Sequence, residues 1–322
     1  MVTNPKITIG IPAYKEKLLS SSIQNILDQT FTDFELIILN DNPGSRIKEI
    51  VNNFDDDRII YYENEKNIGG ENIILCWNKL LEYAKGEYFV LFSDDDLYEK
   101  EFISELHNLF LKYPKVAIVH SRVKIINDEN EVLYVSSNLP EYESCADFIW
   151  HRIKSYRFNY ASDFMVKTNS LKEIGGFIDL PRAWGSDDLT WFSLANIGGI
   201  AATSKLLCGW RESTENISKV GSIEERFIAI DSYFIWLNDF VSKMNVSGDD
   251  FILVREIKKN YNTRRIFVEG HTLKQAGGTG SFGIVNIIFT WLKIRIKRSI
   301  SIQTLIWAIL LQVKESKKVN KS

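Results

Sequence analysis

At 322 residues the chain is long enough for about two domains of roughly 150 residues each. With 45% hydrophobic residues, 25% charged residues and only 6 prolines, it can bury a sizeable core and is not disordered. A net charge of −3 gives no global basic field, which argues against nucleic acid as a partner. The average hides an asymmetry, because Gly277 to Ser322 carry eight Lys/Arg against one acid, a local +7 that leaves −10 on the rest of the chain.

Cys76, Cys145 and Cys208 form no CxxC or Cys/His spacing and read as small buried apolar residues in a reducing compartment. The N-terminal MVTNPKITIGIPAY lacks a basic start followed by a long apolar run, and no stretch of about 18 uncharged apolar residues occurs. Neither a signal peptide nor a transmembrane helix is expected. The expected location is cytoplasmic, with a basic tail that suits the inner face of the plasma membrane.

Along the chain, short apolar runs alternate with helical patterns, the mark of βαβ units and a mostly parallel sheet. Lys6–Ile11, Phe34–Asn40, Ile59–Glu63 and Tyr88–Ser93 are predicted strands; Leu18–Gln29, Arg46–Asn53, Glu71–Ala84 and Glu99–Lys112 are predicted helices. Val116–Ile126 and Val132–Val135 flank a turn at Asn127-Asp128-Glu129-Asn130. A helix at Ala146–Lys154, a strand at Ala161–Lys167 and a short helix at Ser170–Ile174 follow. A helix opened by Ser186-Asp187-Asp188 then leads to two strands, Ile200–Ser204 and Leu206–Trp210. Beyond Gly221 the pattern is helical, with Phe227, Ile230, Phe234, Leu237 and Val241 repeating at three- and four-residue intervals. Asp249–Gln275 is another long helix, and Gly277–Ser281 is a joint.

Parallel strands with right-handed crossovers place their following loops on one edge of the sheet, where open α/β folds bind ligands. Those loops hold Pro12-Ala13-Tyr14, Asp41-Asn42-Pro43-Gly44-Ser45, Asn67-Ile68-Gly69-Gly70 and Asp94-Asp95-Asp96. Three adjacent carboxylates repel one another unless a cation sits among them, and oxygen ligands select Mg²⁺ or Mn²⁺, typically shared with substrate phosphates. Otherwise Asp96 caps the next helix and its neighbours are solvated. Asp41 could accept a hydrogen bond from a nucleobase ring or close an Asx turn. Tyr14 offers an aromatic face, and Gly69-Gly70 allows close backbone approach or simply starts a helix. The absence of GxxxxGK[ST] and of a strand-linked GxGxxG removes P-loop and dinucleotide readings.

Over residues 5–220 the sequence resembles the family 2 glycosyltransferases of the GT-A fold. The resemblance rests on Ile9-Gly10-Ile11-Pro12-Ala13-Tyr14, Asn40-Asp41, Asn67-Ile68-Gly69-Gly70 and the run from Gly86-Glu87-Tyr88 to Ser93-Asp94-Asp95-Asp96. It implies an α/β fold, a Rossmann-like mixed sheet flanked by helices over residues 1–220, with a helical extension over 221–322. It also implies a nucleotide-diphosphate sugar donor, with Asp41 on the base, Pro12 and Tyr14 beside it, and Asp95 foremost on the metal with Asp94 or Asp96. The donor set expected is Pro12, Ala13, Tyr14, Glu16, Asp41, Asn67, Gly69, Gly70, Asp94 and Arg211.

Gly175-Gly176-Phe177 followed by Ser186-Asp187 is similar to the family's acceptor-side segment, which implies that Asp187 deprotonates the acceptor hydroxyl beside Asp188. An alcohol is a poor nucleophile at neutral pH, and a placed carboxylate base contributes roughly 10²–10⁴-fold; as helix-starting residues, Ser186 and Asp187 also need no function. Trp184 could stack on an acceptor sugar. Trp210-Arg211 and Asn216-Ile217-Ser218 match a further family segment in which Ser213 replaces a histidine, and Arg211 could pair with the diphosphate.

In the tail, apolar runs at Gly283–Ile296 and Ser299–Val313 are each too short to span a bilayer. Trp291 and Trp307 with flanking Lys/Arg fit either an interfacial hairpin on an anionic leaflet or packing on the protein. The reading is an inverting, metal-dependent glycosyltransferase acting on a glycan or lipid-linked acceptor in surface polysaccharide synthesis. The rivals are a sugar-phosphate nucleotidyltransferase and a non-catalytic nucleotide-sugar-binding protein at the membrane.

Overall fold

The computed structural model describes residues 4–212, 221–278 and 282–319. By its contacts the chain divides into two compact units, Met1–Asp179 with Gly185–Asn216, and Leu180–Trp184 with Ile217–Ser322.

The first unit is built on one mixed sheet. Strands β1 (Ile7–Ala13), β2 (Phe34–Asn40), β3 (Ile59–Glu63) and β4 (Tyr88–Leu91) are parallel, in the order β3-β2-β1-β4. β2 is buried at every position and β4 likewise, which is why both read as continuous apolar runs rather than as alternating ones. Helices α1 (Leu19–Leu27), α2 (Ile47–Asn52) and α3 (Gly69–Tyr83) make the crossovers. Leu19, Ile23 and Ile26 of α1 meet Ile7, Ile9 and Ile11 of β1 and Leu36 and Ile38 of β2 in one apolar cluster. This topology delivers the four loops named from the sequence to the same sheet edge.

Past β5 (Leu97–Tyr98) and α4 (Phe102–Lys112), β6 (Ile118–Ile126) carries the hairpin partner β7 (Val132–Val135), and β8 (Tyr142–Glu143) and α5 (Cys145–Ile153) follow. β9 (Phe164–Lys167) lies antiparallel between β4 and β6, so the sheet is mixed, as the family resemblance implied. The expected strand over Ala161–Lys167 splits, because Ala161–Asp163 coil into a 3₁₀ turn before the pairing begins. After α6 (Thr168–Glu173) and α7 (Ser186–Ala195), the two strands expected over residues 200–210 are one strand, β10 (Ile200–Arg211). Shifts of register against β6 between Ala202 and Cys208 absorb the extra residues that had suggested a break.

The second unit is helical: α8 (Ile223–Lys243), α9 (Asp249–Lys274), α10 (Gly283–Lys297) and α11 (Ile302–Val319). A reciprocal capping box starts α8, with Ser222 Oγ accepting from Glu225 N and Glu225 accepting from Ser222 N. Phe227, Leu273, Ile287, Trp291, Ile294, Ile300, Leu305 and Ala308 form its core. Trp291 is buried and donates to Ser301 O at 3.2 Å, and Trp307 lies against Phe267 and His271. Both tryptophans therefore face protein, and the inner faces of α10 and α11 are structural. No helix among the described residues is long and apolar enough to cross a membrane.

Candidate active site

The aspartate loop after β4 is held from three sides. Asp94 Oδ2 accepts from the backbone N–H groups of Tyr14 at 2.9 Å and Lys15 at 2.7 Å, tying it to the loop after β1. Asp96 Oδ2 accepts from Ser162 Oγ at 2.6 Å and its Oδ1 from Arg211 N at 2.9 Å. Asp95 accepts from Ser93 Oγ at 2.7 Å and pairs with the Lys15 ammonium at 2.6 Å. Burial, and then repulsion from Asp95, push Asp94 up to about 6 and Asp96 up to about 7. Crowded, desolvated carboxylates of this kind call for positive charge, and Lys15 supplies one.

Arg211 lies at the end of β10 and is 3% exposed. Its Nε donates to Asp95 O at 2.7 Å, and its Nη atoms reach Asn127 O and Asn130 Oδ1. The guanidinium thus sits beneath the aspartate loop and fixes that loop to the β6–β7 turn, rather than facing outward from the sheet edge. Ser213 and Asn216–Ser218 lie outside the described residues.

Asp41, at the end of β2, accepts at Oδ1 from Asn64 Nδ2 (2.7 Å) and Ile68 N (2.9 Å) and at Oδ2 from Gly69 N (2.7 Å). Those are three of the roughly four lone-pair sites of a carboxylate, and the buried Cys76 thiol bonds the same group. Asn67 Oδ1 accepts from Gly70 N at 2.6 Å, so Asn67, Gly69 and Gly70 form the start of α3. A Cβ on Gly69 would stand 2.7 Å from Asp41 Oδ2, which requires glycine there. Glu16 accepts from Arg46 N and Nε, bonds that hold its carboxyl below the usual range. Pro12 and Ala13 end β1, and the Tyr14 ring beyond them is 49% exposed.

At the segment expected to face the acceptor, α7 starts after Gly185, whose φ of 75° is readily adopted only by glycine. Asp188 is buried and takes both 2.7 and 2.9 Å contacts from Arg152 Nε of α5, with Asn159 Nδ2 at 3.4 Å. Among the described residues, Asp187 has no ion-pair partner of its own, and burial and then repulsion from Asp188 push it up to about 7. Two adjacent carboxylates are thereby differentiated, one locked by a cation and one poised near neutrality. The link between this helix and the aspartate loop is the 3₁₀ turn: Ser162 holds Asp96, and the next residue, the fully buried Asp163, feels the charges of Arg152 and Asp188. Trp184 belongs to the second unit, its ring edge-on to Tyr233.

A model of the family described as Glycosyl transferase family 2 matches residues 8–177. The chain belongs to glycosyl transferase family 2. An uncharacterized glycosyltransferase of Methanocaldococcus jannaschii is 27% identical over 179 residues, 53% of this chain and 58% of that one. The GalNAc(5)-diNAcBac-PP-undecaprenol beta-1,3-glucosyltransferase of Campylobacter jejuni is 36% identical over 95 residues, 29% of this chain and 30% of that relative. The chain thus aligns with less than two thirds of either relative's length. In three dimensions it is similar to S. aureus TarS 1–349 in complex with UDP-GlcNAc, with a TM-score of 0.65 and 13% identity over 97% of this chain and 92% of that one. A mannosyltransferase of Pyrobaculum calidifontis in complex with GDP-Man and Mn²⁺ gives a TM-score of 0.57 at 14% identity, over 97% and 88%. These likenesses bear out the GT-A type of fold, a mixed sheet with flanking helices and a helical C-terminal region.

In this family 2 member the donor chemistry at the aspartate loop fits a divalent cation. The ligands are hard oxygens, two carboxylates are raised by burial and then by the third, and the Lys15 ammonium stands in for positive charge against Asp95. A second grouping, Glu143, Asp147 and His151, brings ligand atoms within 4.8 Å of one another. There Arg157 already answers Glu143 and donates to His151 Nε2, so the cation in that cluster is a side chain. Sequence reasoning passed over Lys15, Arg152, Ser162 and Asp163. Arg152 and Asp163 carry no motif; Lys15 directly follows the quoted Pro12-Ala13-Tyr14, and its charge beside three aspartates was the available signal.

Proposed function

We propose that this glycosyltransferase is inverting and moves a sugar from a nucleotide-diphosphate donor to a hydroxyl of a glycan or lipid-linked acceptor, in surface polysaccharide synthesis. The observation that carries the reading is the division of labour at α7, with Asp188 locked by Arg152 and Asp187 raised to about 7. A base with that value is matched to proton transfer near neutral pH.

Asp187 takes the proton from the acceptor hydroxyl as that oxygen bonds to the anomeric carbon. The bond from that carbon to the diphosphate breaks on the opposite face, and the nucleoside diphosphate leaves with the electron pair. One displacement inverts the centre, and no covalent sugar–enzyme intermediate is required. Tyr14 presents its exposed ring to the donor base, and Asp41 borders it. Asp95, with Asp94 or Asp96, would hold Mg²⁺ or Mn²⁺, which when bound would offset charge on the departing diphosphate. Lys15 shares that neutralisation, and Arg211 keeps the loop in shape from below. Trp184 is assigned to the acceptor sugar. A lipid-linked acceptor is supported by the name of the Campylobacter relative, and a peripheral site on the cytoplasmic membrane face by the basic tail.

The test is a panel of nucleotide-sugar donors scored by released nucleoside diphosphate, with and without Mn²⁺, on wild type, Asp95→Asn and Asp187→Asn. Release by wild type alone, dependent on Mn²⁺, supports the reading. Full turnover by Asp187→Asn removes the base from the mechanism. Pyrophosphate released from a nucleoside triphosphate and a sugar phosphate would make the protein a nucleotidyltransferase.

A further inference from the structure

The outer face of α10 has no partner within its own unit, and its composition says what it meets. Phe282 (73% exposed), Val285, Phe289 (68%), Leu292 and Ile296 (87%) follow one another at alternating three- and four-residue steps. At about 100° per residue they occupy about 80° of the helix circumference. Ile287, Trp291 and Ile294, the buried residues, lie on the opposite side. Lys293 and Lys297 flank the stripe on one side and Arg295 on the other, Lys297 pairing with Glu224 of α8 at 2.6 Å and Arg295 lying over the Trp291 ring, and α10 contains no acidic residue. In α11, Ile302, Ile306 and Leu310 are similarly exposed.

We propose that this stripe seats α10 flat in the headgroup region of an anionic bilayer, with Phe282, Phe289 and Ile296 inserted and Lys293 against the lipid phosphates. The inference deepens the membrane reading above and is independent of the transfer chemistry. Fifteen residues make a helix of about 22 Å, short of the roughly 30 Å hydrocarbon core, so lying in the interface is the geometry available. Self-association through the same stripe would bring two basic helices together, with no acid on α10 to offset them. An anionic leaflet suits that basic helix, with Lys293 beside the stripe as its foremost contact. Of the two roles open to them from the sequence, Trp291 and Trp307 take the packing one and are inner anchors of the unit.

The experiment is co-sedimentation of the full chain with vesicles of phosphatidylglycerol and phosphatidylcholine, and with phosphatidylcholine alone. Wild type should pellet with the anionic vesicles and be released by salt. Phe289→Asp with Ile296→Asp should weaken partitioning at least tenfold while leaving the melting temperature and nucleoside diphosphate release to a water-soluble acceptor unchanged. Lys293→Glu should weaken binding to anionic vesicles and not to neutral ones. If the double variant melts lower, Ile296→Ser alone carries the test. Wild type that stays in the supernatant, or a double variant that pellets like wild type, overturns the proposal. So does a wild-type dimer in light scattering that the double variant dissolves, which would give the face to a second copy. Vesicle binding without sugar transfer by any donor would instead count against the transfer reading.

Discussion

The adjacent aspartates at the start of α7 should separate by experiment as they do by geometry. Asp187→Asn keeps shape and removes basicity, so donor affinity should persist while transfer falls by at least about 10²-fold, measured as the Kd for the donor against kcat. In wild type kcat/KM should rise with pH through about 7, because only ionised Asp187 accepts the proton. The sign for stability is opposite. An acid whose folded pKa is about 7 against an ordinary 3.8 holds its proton more tightly when folded, so its contribution is present at low pH and lost as pH rises from about 4 to about 7. Asp187→Asn should therefore melt higher than wild type at pH 8 and level with it near pH 4. Asp188→Asn should instead lose stability, by about 2 kcal/mol in chemical denaturation. That change strands the Arg152 guanidinium, itself about a quarter exposed, without its carboxylate.

At the scale of elements, the start of α3 joins the loops after β2 and β3 through one carboxylate. Gly69→Ala would place a Cβ 2.7 Å from Asp41 Oδ2 and break the bond from Gly69 N. A loss of about 1–2 kcal/mol and a raised donor KM are expected, read by melting and by initial rates. The sequence made the four parallel strands and the loops at their ends legible, because runs such as Phe34–Asn40 are buried throughout and admit one reading. It did not reveal the antiparallel course of β9, since Phe164–Lys167 would look the same in either direction and only its neighbours β4 and β6 decide. Arg211 was legible as a cation near the site but not in its direction, because its partners at Asn127 and Asn130 are some eighty residues away. In α10 apolar residues cover more than half of the helix circumference, so the outward stripe was hidden until burial on one side distinguished the two faces.

For the molecule as a whole, the tail is a structural part of its unit as well as a candidate membrane contact. Ending the chain after Gln275 would remove Ile287, Trp291, Ile294, Ile300, Leu305 and Ala308 from a core that also holds Phe227 and Leu273. Such a chain should lose the cooperative unfolding of that unit, and Trp291→Ala in the full chain should cost about 3–5 kcal/mol in denaturant titration. The contact between Lys15 and Asp95 reaches equally far. A site that carries its own counterion does not depend on dissolved ions for its fold, so chelator should leave the melting temperature of wild type unchanged. Lys15→Met leaves Asp95 buried without a cation and should cost about 2 kcal/mol, recovered on adding Mn²⁺. One ammonium at the mouth of the sheet thus balances part of the aspartate loop's charge from within the chain itself.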